Sequence, residues 1–405
     1  MTRPRAFALV ILGTVLVLGP LIRPVPTAAD SPDGGEVPAL VEPPVSGGRP
    51  RLECQSAVLM EWTTGAVLYA HRATEKRDPA SLTKIMTAVV ALERGSLPEP
   101  VRISANAAWT PGSTMGLREG QEYTLRDLLY GLLLESGNDA AVAIAEHLAG
   151  SEREFARWMT EKAHELGALS TQFLNPHGLT EPGHYSTAYD LALIARYALT
   201  LPLFAAMVGT VEKRVAELDR LSSERVLYNT NRLLGAYPGM EGGKTGTTAA
   251  AGACLVASAV RDGMRLISVV LDSADRWEDT RRLLDWGFAN FTLIRYGNAG
   301  DYYGSIPVVR GTARSVDLVL AADLVAVVHR SELDRVRVEE EVARRAVSPV
   351  RRGQPLGKLT IVAGDRPAAE VILVARESVP RATPFWFLWK YFLPALRWLH
   401  AAGVT

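Results

Sequence analysis

The sequence contains very few cysteines and no excess of charge of either sign. Cys54 and Cys254 are the only cysteines among 405 residues, too few for a disulfide framework, and their spacing matches no zinc motif. A single bridge between them remains open. Cys254 lies in the apolar run Ala253-CLVASAV, so we expect it to be a small buried side chain.

Charge and histidine content exclude further classes of function. The chain carries 44 basic and 44 acidic residues, which gives no signal of polyanion binding and argues against nucleic acid as a partner. His177 and His184 lie in one loop with no third ligand beside them, which is more typical of structural histidines than of a metal site. We therefore expect neither a metal nor a cofactor.

What the sequence does contain is a serine followed three residues later by a lysine, in Ser81-Leu82-Thr83-Lys84. The segment reads as an amphipathic helix that starts at Ser81, so these two residues share a face. A serine hydroxyl needs a neighbouring base to act as a nucleophile, and a lysine can serve only when it is kept neutral. Such a pair also arises by chance about once in a chain this long, so it needs support from elsewhere.

A second motif, Ser136-Gly137-Asn138, follows the apolar helical run Leu125-RDLLYGLLLE. Gly137 ends the helix and leaves two polar side chains beside its end, which is a natural place for catalytic groups. Ser104-Ala105-Asn106 has the same S-x-N pattern, but it follows no helical run and is expected at the surface.

A third motif, Lys244-Thr245-Gly246-Thr247, is expected to open the apolar strand at 253–260. Its lysine is a second cation, and a like charge near Lys84 would lower the pKa of Lys84. The third motif therefore offers the condition that the first one needs.

In this order and context the three motifs resemble the signature of penicillin-binding proteins and β-lactamases. The chain resembles the D-alanyl-D-alanine carboxypeptidases, the low-molecular-mass penicillin-binding proteins of peptidase family S11. The resemblance runs through about residues 55 to 290 in six blocks: 57–73, 78–93, 128–151, 175–179, 184–199 and 231–263.

The resemblance implies catalytic roles for Ser81, Lys84, Ser136 and Asn138. Ser81 would attack the penultimate D-alanine carbonyl of a peptidoglycan stem peptide while Lys84 takes its proton, and an acyl-enzyme would follow. Ser136 and Asn138 would orient Lys84 and the substrate amide, and Ser136 would relay a proton to the leaving D-alanine.

The resemblance also implies a substrate-binding group: Lys244, Thr245, Gly246, Thr247 and Arg276. Lys244 would attract the C-terminal carboxylate of the substrate, and the Thr247 hydroxyl and Arg276 would contact it. By analogy, the backbone N–H groups of Ser81 and Thr247 would form the oxyanion hole. For Arg276, an ordinary surface arginine is an equally good interpretation.

The alternative functions are a β-lactamase-like hydrolase and a D,D-transpeptidase or endopeptidase of the same fold. Class A β-lactamases deacylate with a glutamate in an E-x-x-L-N loop. The corresponding segment here is Thr171-QFLN, and the threonine at that position argues against rapid β-lactam turnover. A transpeptidase would differ only in passing the acyl group to an amine. A noncatalytic penicillin sensor would lack a catalytic residue, whereas this sequence has them all.

The resemblance implies an α/β (α+β) penicillin-binding-protein/β-lactamase-like transpeptidase fold, with an antiparallel sheet and a helical subdomain that bears Ser136. After about residue 293 the sequence changes to short alternating runs, which indicate a small all-β domain. The predicted order is a signal peptide (1–29), a flexible linker (30–52), a serine D,D-carboxypeptidase catalytic domain (53–292), a C-terminal β domain (293–379) and an amphipathic membrane-anchoring helix (380–405).

Both ends of the chain suggest export to a membrane surface. Arg3 and Arg5 precede an apolar run at 6–18 and the small-residue site Thr27-Ala28-Ala29, which is typical of a secretory signal peptide, with an uncleaved anchor as the alternative. The last twenty residues hold three of the eight tryptophans, together with basic residues on one side of a helix. This pattern favours an in-plane membrane anchor over a helix packed on its own domain.

The expected location is therefore the extracytoplasmic face of the bacterial cell membrane, with a peripheral C-terminal anchor and part of the protein secreted. The expected partners are peptidoglycan stem peptides, β-lactam antibiotics as inhibitors, and the membrane surface through the C-terminal helix. In the resembling enzymes the β domain is a pedestal between the membrane and the catalytic domain, a role that suits an anchor beside it.

Overall fold

The computed structural model describes residues 48–218, 220–383 and 386. The predicted signal peptide, most of the predicted linker and most of the predicted C-terminal helix lie outside the described residues. Within the described ranges, no single helix is long and apolar enough to cross a membrane. The helices Ala188–Ala198 and Pro202–Val208, bent by 112°, reach that length and composition only as a pair.

The regular structure alternates between strands and helices in the first part of the chain and consists mainly of strands in the last part. The strands are β1 (Cys54–Glu61), β2 (Val67–His71), β3 (Pro100–Arg102), β4 (Glu122–Thr124), β5 (Glu212–Glu217), β6 (Arg220–Tyr228), β7 (Met240–Thr248), β8 (Gly252–Arg261), β9 (Met264–Ser273), β10 (Phe291–Gly297), β11 (Tyr302–Val309), β12 (Ser315–Leu320), β13 (Leu324–His329), β14 (Val336–Val342), β15 (Ala346–Val347), β16 (Pro355–Ala363) and β17 (Arg366–Ala375). The helices are α1 (Thr83–Arg94), α2 (Ala105–Ala108), α3 (Leu125–Leu134), α4 (Asn138–Ala149), α5 (Glu152–Glu165), α6 (Ala188–Ala198), α7 (Pro202–Val208) and α8 (Arg276–Asn290). Among the described residues, 3₁₀ turns cover Ala80–Leu82 and Arg330–Arg335.

A five-stranded antiparallel sheet, in the order β2-β1-β9-β8-β7, is the centre of the α/β region, which we define as residues 54–290. Strands β8 and β9 are buried over most of their length because helices cover both faces of the sheet. Helix α8 packs on one face, where a Cβ at Gly287 would lie only 2.5 Å from Leu59 Cδ2. The missing side chain lets the helix approach the sheet closely.

The other face of the sheet is covered by helices that surround α1. The residues of α1 from Thr83 to Ala91 are all buried, because α3, α4, α5 and α6 pack around this helix. Side-chain caps from Thr124, Ser151 and Thr187 satisfy backbone N–H groups at the first turns of α3, α5 and α6. The α1 helix is therefore held between the sheet and the helical layer.

Two elements differ from the sequence predictions. The helix expected from Ser81 begins with a 3₁₀ turn, in which Leu82 N–H donates to Pro79 O, and α1 itself starts at Thr83. The K-T-G motif does not open the apolar strand that follows it. It lies on β7, a separate edge strand paired antiparallel with β8, because the small residues at 249–251 allow the chain to reverse between them.

Residues 291–383 form a second region with an apolar core of its own. Its main sheet has the order β14-β16-β17-β12-β11-β15, and β10 pairs with β13. The pairings are antiparallel, except that the short β15 runs parallel to β11, with Val309 opposite Val347. The two regions meet where β10 follows α8, and the rings of Phe291 and Trp286 lie edge to face at 5.4 Å.

The packing in the core of the α/β region predicts a large loss of stability for the Leu59→Ala variant. Leu59 is fully buried between the sheet and α8, so truncation loses buried apolar area and leaves a cavity. We expect the free energy of unfolding to fall by about 3 kcal/mol, measured by urea denaturation. Leu169→Ala is the matched control, because Leu169 is 65% exposed and its truncation should cost far less. Equal losses in the two variants would contradict this packing.

Candidate active site

Ser81 lies in the 3₁₀ turn before α1, between two buried residues. Ala80 and Leu82 have no exposed surface, whereas Ser81 is half-buried and reaches solvent. Ala80 has a φ of 47°, a conformation that non-glycine residues rarely adopt and that costs on the order of 1 to 3 kcal/mol. The surrounding core therefore fixes the turn and presents the Ser81 hydroxyl at the protein surface.

Lys84 lies one turn further along and is fully buried. Its Nζ atom is 3.0 Å from Ser81 Oγ, 2.6 Å from Asn138 Oδ1 and 2.7 Å from the carbonyl oxygen of His177. The i, i+3 spacing brings the first of these contacts, as the sequence suggested. The other two come from α4 and from a loop more than 90 residues away along the chain.

The environment of Lys84 lowers its pKa well below the usual range of lysine. Burial is the main cause, because it removes the solvation of the charged form, and the nearby charge of Lys244 adds to it. Asp139 acts in the opposite direction but is outweighed. Burial and the charge of Arg276 likewise lower the pKa of Lys244 to about 7.

Ser136 and Asn138 lie at the junction of α3 and α4. Asn138 N–H donates to Ser113 O at 2.7 Å, and its Nδ2 donates to Pro111 O at 2.6 Å, so its Oδ1 is aimed at Lys84 by the surrounding loop. Ser136 has a φ of 61°, and its buried Oγ has no hydrogen-bond partner among the described residues. A buried hydroxyl without a partner has the capacity to bind a substrate or a water molecule.

The K-T-G motif on the edge strand β7 lies directly against the Ser81 turn. A Cβ at Gly246 would lie 3.1 Å from Ser81 N, so glycine lets the strand edge approach the backbone of that turn. Lys244 is buried and its Nζ donates to Thr245 O at 2.9 Å. Thr247 is exposed at the edge of the strand, beside the turn that carries Ser81.

Arg276 lies against the same strand. The sequence alone left open whether it is a site residue or an ordinary surface residue. Its Nη1 atom is 2.7 Å from Gly246 O, 2.9 Å from Thr247 Oγ1 and 3.1 Å from Cys254 O. It occupies the first position of α8. These contacts fix the guanidinium beside the exposed Thr247 hydroxyl.

Sequence reasoning missed Asp139, the residue after Asn138. Its carboxylate is buried and accepts hydrogen bonds from Thr114 Oγ1 (2.6 Å), Met115 N–H (2.8 Å) and Leu117 N–H (2.9 Å). These bonds hold the loop that in turn contacts Asn138. An aspartate directly after the S-x-N motif was the available signal, but an acidic residue in the first turn of a helix has an ordinary explanation as well.

Sequence reasoning also missed the part that His177 plays through its backbone. Its carbonyl accepts from Lys84, while its ring accepts from Leu179 N–H at 3.1 Å and lies 3.3 Å from Glu152. The His184 ring is 3.0 Å from Thr83 Oγ1, and burial lowers the pKa of His184 to about 4, so this ring is neutral. Both side chains support the loop around the site.

Thr171, at the position of the β-lactamase glutamate, is a buried residue that holds the fold together. Its hydroxyl donates to Asp190 Oδ2 at 2.7 Å and lies 2.8 Å from Ser186 Oγ. It therefore has no carboxylate to offer to a water molecule and is fully engaged with its neighbours.

The two cysteines are both free and buried. Cys54 on β1 and Cys254 on β8 are separated by β9, and they belong to the cores on opposite faces of the sheet. Two strand spacings amount to about 9 to 10 Å, beyond the reach of a disulfide. In the part of the chain that the structure describes, no group of three or more His, Cys, Asp or Glu residues is placed to hold a metal ion.

Comparison with known proteins identifies the family. The model of the D-alanyl-D-alanine carboxypeptidase family (peptidase S11) matches residues 44–275, and that of the penicillin-binding protein 5 C-terminal domain matches residues 291–381. The chain belongs to the D-alanyl-D-alanine carboxypeptidase family of peptidases, which confirms the resemblance seen in the motifs and makes the protein a hydrolase.

Individual relatives cover most of the chain. The D-alanyl-D-alanine carboxypeptidase DacF of Bacillus subtilis is 35% identical over 93% of this chain and 96% of its own length. The structure of penicillin-binding protein 5 from Haemophilus influenzae matches with a TM-score of 0.74 and 31% identity, over 83% of this chain and 100% of that one. A mutant of the Streptomyces K15 DD-transpeptidase gives a TM-score of 0.57 and 32% identity, over 60% and 100%. The predicted fold class is confirmed for the α/β and all-β regions.

The close packing of the His177 loop against the Ser81 turn predicts that a side chain at the neighbouring Gly178 destabilises the protein. Gly178 has a φ of 85°, and a Cβ there would lie 1.9 Å from Ala80 O, so Gly178→Ala must displace the turn that carries Ser81. Gly183 has a φ of 94°, but its nearest neighbour would be 3.4 Å away. We expect Gly178→Ala to lower the free energy of unfolding by about 3 kcal/mol and Gly183→Ala by about 1 kcal/mol, measured by urea denaturation. A Gly178→Ala variant no less stable than Gly183→Ala would mean that the turn and the loop are not in close contact.

Proposed function

We propose that this chain is a serine-type D-alanyl-D-alanine carboxypeptidase that removes the terminal D-alanine from peptidoglycan stem peptides through an acyl-enzyme on Ser81. The observation that carries the proposal is the 3.0 Å contact between Ser81 Oγ and the buried amine of Lys84. Family membership supports the class of substrate, and this contact supports the chemistry.

The hydrogen-bond partners of Lys84 can accommodate the neutral amine that its lowered pKa favours. Asn138 Oδ1 and the His177 carbonyl can only accept hydrogen bonds, so each takes one N–H of Lys84. A neutral amine has two N–H groups and one lone pair, and the lone pair is left for the Ser81 hydroxyl. In this state Ser81 donates to Lys84 Nζ, which is the arrangement that a general base requires.

Acylation begins when Lys84 takes the Ser81 proton and Ser81 Oγ attacks the carbonyl carbon of the penultimate D-alanine. The C–N bond to the terminal D-alanine breaks, and the proton on Lys84 passes to the leaving amine through the Ser136 hydroxyl, which lacks a partner among the described residues. Water then attacks the ester. Lys84 accepts the water proton and returns it to Ser81 Oγ as the ester bond breaks, so the cycle ends as it began.

The developing negative charge on the substrate carbonyl oxygen needs hydrogen-bond donors already in place. The backbone N–H groups of Ser81 and Thr247 are our candidates. Their support is the close approach of β7 to the turn, where a Cβ at Gly246 would be 3.1 Å from Ser81 N. Because these donors belong to a fixed turn and a paired strand, they need little reorganisation during the reaction.

The C-terminal carboxylate of the substrate would bind at the outer end of the K-T-G strand. The exposed Thr247 hydroxyl lies 2.9 Å from the Arg276 guanidinium, and the buried Lys244 adds positive charge behind them. The Thr245 hydroxyl lies 2.8 Å from Thr230 Oγ1, and this contact supports β7. Two cations and a hydroxyl would recognise a carboxylate and leave the penultimate carbonyl near Ser81.

A D,D-transpeptidase or endopeptidase is the second candidate, and the similarity to the Streptomyces K15 DD-transpeptidase favours keeping it. The same acyl-enzyme would form on Ser81, and only the acceptor would change from water to an amine. The β-lactamase-like alternative has less support, because Thr171 is engaged with Asp190 and offers no base for deacylation.

The site of action that we propose is the extracytoplasmic face of the cell membrane, with β-lactams as inhibitors. The support is the name of penicillin-binding protein 5, whose C-terminal domain model matches residues 291–381, and the signal-like sequence at 1–29. The aromatic segment within 380–405 would hold the protein at the membrane surface, with the β domain between membrane and catalytic domain.

Release of D-alanine from diacetyl-Lys-D-Ala-D-Ala tests the proposed function directly. We expect Ser81→Ala to lower turnover by roughly 10⁴-fold or more, because the nucleophile is lost, and benzylpenicillin to block the original protein. Ser136→Ala should also slow turnover, because the proton relay is lost.

Ser104→Ala is the matched control for the Ser136→Ala variant, since Ser104 has the same S-x-N pattern but caps α2 and is not among the hydrogen-bond partners of Lys84 in the described structure. Its turnover should equal that of the original protein. Turnover that persists in Ser81→Ala would contradict the proposal. Covalent labelling of Ser81 by penicillin without D-alanine release would favour the transpeptidase instead.

The rate at which benzylpenicillin acylates Ser81 should rise with pH, because only the neutral form of Lys84 can accept the Ser81 proton. The rate is lost as the pH falls through the pKa of Lys84, which burial and the charge of Lys244 hold low. In Lys244→Gln that charge is absent, so the pKa of Lys84 rises and the midpoint of the pH profile should shift to higher pH. Lys358→Gln removes the same charge from an exposed site on β16 and should leave the midpoint unchanged. A midpoint that does not move in Lys244→Gln would argue against Lys84 as the base.

A further inference from the structure

The main sheet of the second region ends on one side in three neighbouring loops. Strands β11, β14 and β17 end there, and β12 and β16 begin there, as their antiparallel pairings require. The loops cover residues 310–314, 343–354, which include the two-residue strand β15, and 376–383. Bridges from Gly311 to Arg381 and from Val350 to Val379 tie them together. We call this surface the arginine end of the sheet.

Positive charge is concentrated at the arginine end. The three loops contain eight arginines, two in the first, four in the second and two in the third, and all eight are exposed. They contain no lysine and a single acidic residue, Glu377. Within the described part of the chain, none of these eight guanidinium groups forms an ion pair or a side-chain hydrogen bond.

The opposite end of the same sheet shows a different pattern, because its arginines are paired with acidic residues. Arg335 lies 3.2 Å from Asp365, Arg337 lies 2.9 Å from Glu339, and Arg366 also has a carboxylate neighbour. Eight like charges without acidic partners repel one another and oppose folding. Guanidinium groups bind phosphate with two parallel hydrogen bonds, so a phosphate-rich surface would relieve that repulsion.

Two apolar side chains lie among these arginines. Val309 and Val347 are paired at the edge of the sheet and are 38% and 62% exposed. Exposed aliphatic groups surrounded by cations fit the boundary between lipid headgroups and acyl chains, where both kinds of side chain find partners. A purely aqueous anion would satisfy only the arginines.

The chain leaves the described structure at the same end. Thr312 N–H donates to Pro380 O at 2.9 Å, and Ala382 N–H donates to Arg310 O at 2.8 Å, so the final described residues are held against the first loop. Residues 384–405 follow, with three tryptophans and the basic residues Lys390 and Arg397. The arginine end therefore lies directly beside the start of the segment that we predicted to rest in a membrane surface.

The other end of the sheet faces the α/β region. Ala368 and Ala369, near the turn between β16 and β17, line a cavity together with Thr63 and Thr64. Strand β16 has nine residues, which separates the two ends of the sheet by about 30 Å. A planar surface could therefore contact the arginine end without contacting the α/β region at this point.

We propose that the arginine end is a docking surface for an anionic phospholipid bilayer, separate from the C-terminal segment. Its arginines bind headgroup phosphates, while Val309 and Val347 contact the outer part of the acyl layer. The surface holds the β sheet with one end on the membrane, so the α/β region stands away from it. The docking does not depend on the reaction proposed for Ser81, and the two can fail independently.

Binding of the full chain to vesicles tests the proposal. Co-sedimentation would compare vesicles of phosphatidylcholine alone with vesicles that contain about 30% phosphatidylglycerol, an anionic lipid whose surface potential attracts basic residues. In the variant Arg344→Gln, Arg345→Gln, Arg351→Gln and Arg352→Gln, we expect affinity for the anionic vesicles to fall by roughly 10³-fold, with a weaker dependence on salt. These side chains are exposed and form no ion pair or side-chain hydrogen bond in the described structure, so thermal stability and D-alanine release from a soluble peptide should be unchanged.

The matched control makes the same change in net charge at arginines that have carboxylate neighbours. It combines Arg335→Gln, Arg337→Gln and Arg366→Gln at the opposite end of the sheet with Arg295→Gln on β10, where Arg295 lies 2.7 Å from Asp323. Vesicle binding in this control should stay within about threefold of the original chain, since the arginine end is intact. The C-terminal segment is present in every variant, so its contribution to binding cancels.

Three results would overturn the proposal. Affinity for anionic vesicles could be equal in the arginine-end variant and the original chain, or it could fall equally in the matched control. The original chain could also bind inorganic polyphosphate through the arginine end while showing no preference for phosphatidylglycerol vesicles, which would assign the surface to a soluble anionic polymer.

Discussion

Burial of the Lys84 amine is the constraint on which the rest of the candidate site depends. A charged ammonium inside a protein loses its solvation, and the neighbouring charge of Lys244 makes protonation still less favourable. The two carbonyl oxygens of Asn138 and His177 occupy its N–H groups and leave the lone pair for Ser81. The sheet and the helical layer enclose α1, and this enclosure keeps the Lys84 amine buried. In water the same amine would be cationic.

Sequence motifs could predict the parts of the site whose chemistry requires a particular type of side chain. Ser81, Lys84 and Asn138 belong to short motifs and do meet in space, although their motifs lie more than 50 residues apart. The His177 carbonyl could not be predicted in the same way, since any residue supplies a carbonyl and only the path of the loop brings it to Lys84. Asp139 acts through the loop at 113–117, and its partners there are mostly backbone N–H groups, which leave no sequence signature.

The fold was predictable where the hydrophobic pattern reflects burial. It was less predictable where the pairing of strands decides their position in the sheet. The apolar run at 253–260 predicted β8 of the central sheet, and the short alternating runs predicted the change to β structure after about residue 293. They did not show that the K-T-G motif lies on its own edge strand, because β7 has few apolar residues and is recognised only through its pairing with β8. Charge behaves in the same way. The total of 44 basic and 44 acidic residues gave no signal, yet strand order collects eight arginines at one end of a sheet.

The most direct test of the account is the protonation state of Lys84 itself. NMR of protein labelled with ¹³C at the lysine Cε, with the signal assigned through Lys84→Arg, would follow this amine as the pH changes. The account predicts that Lys84 titrates well below the ordinary lysine pKa of about 10.4 and is neutral at the pH at which the enzyme turns over. A Lys84 amine that stays protonated until about pH 10 would contradict its role as the base for Ser81.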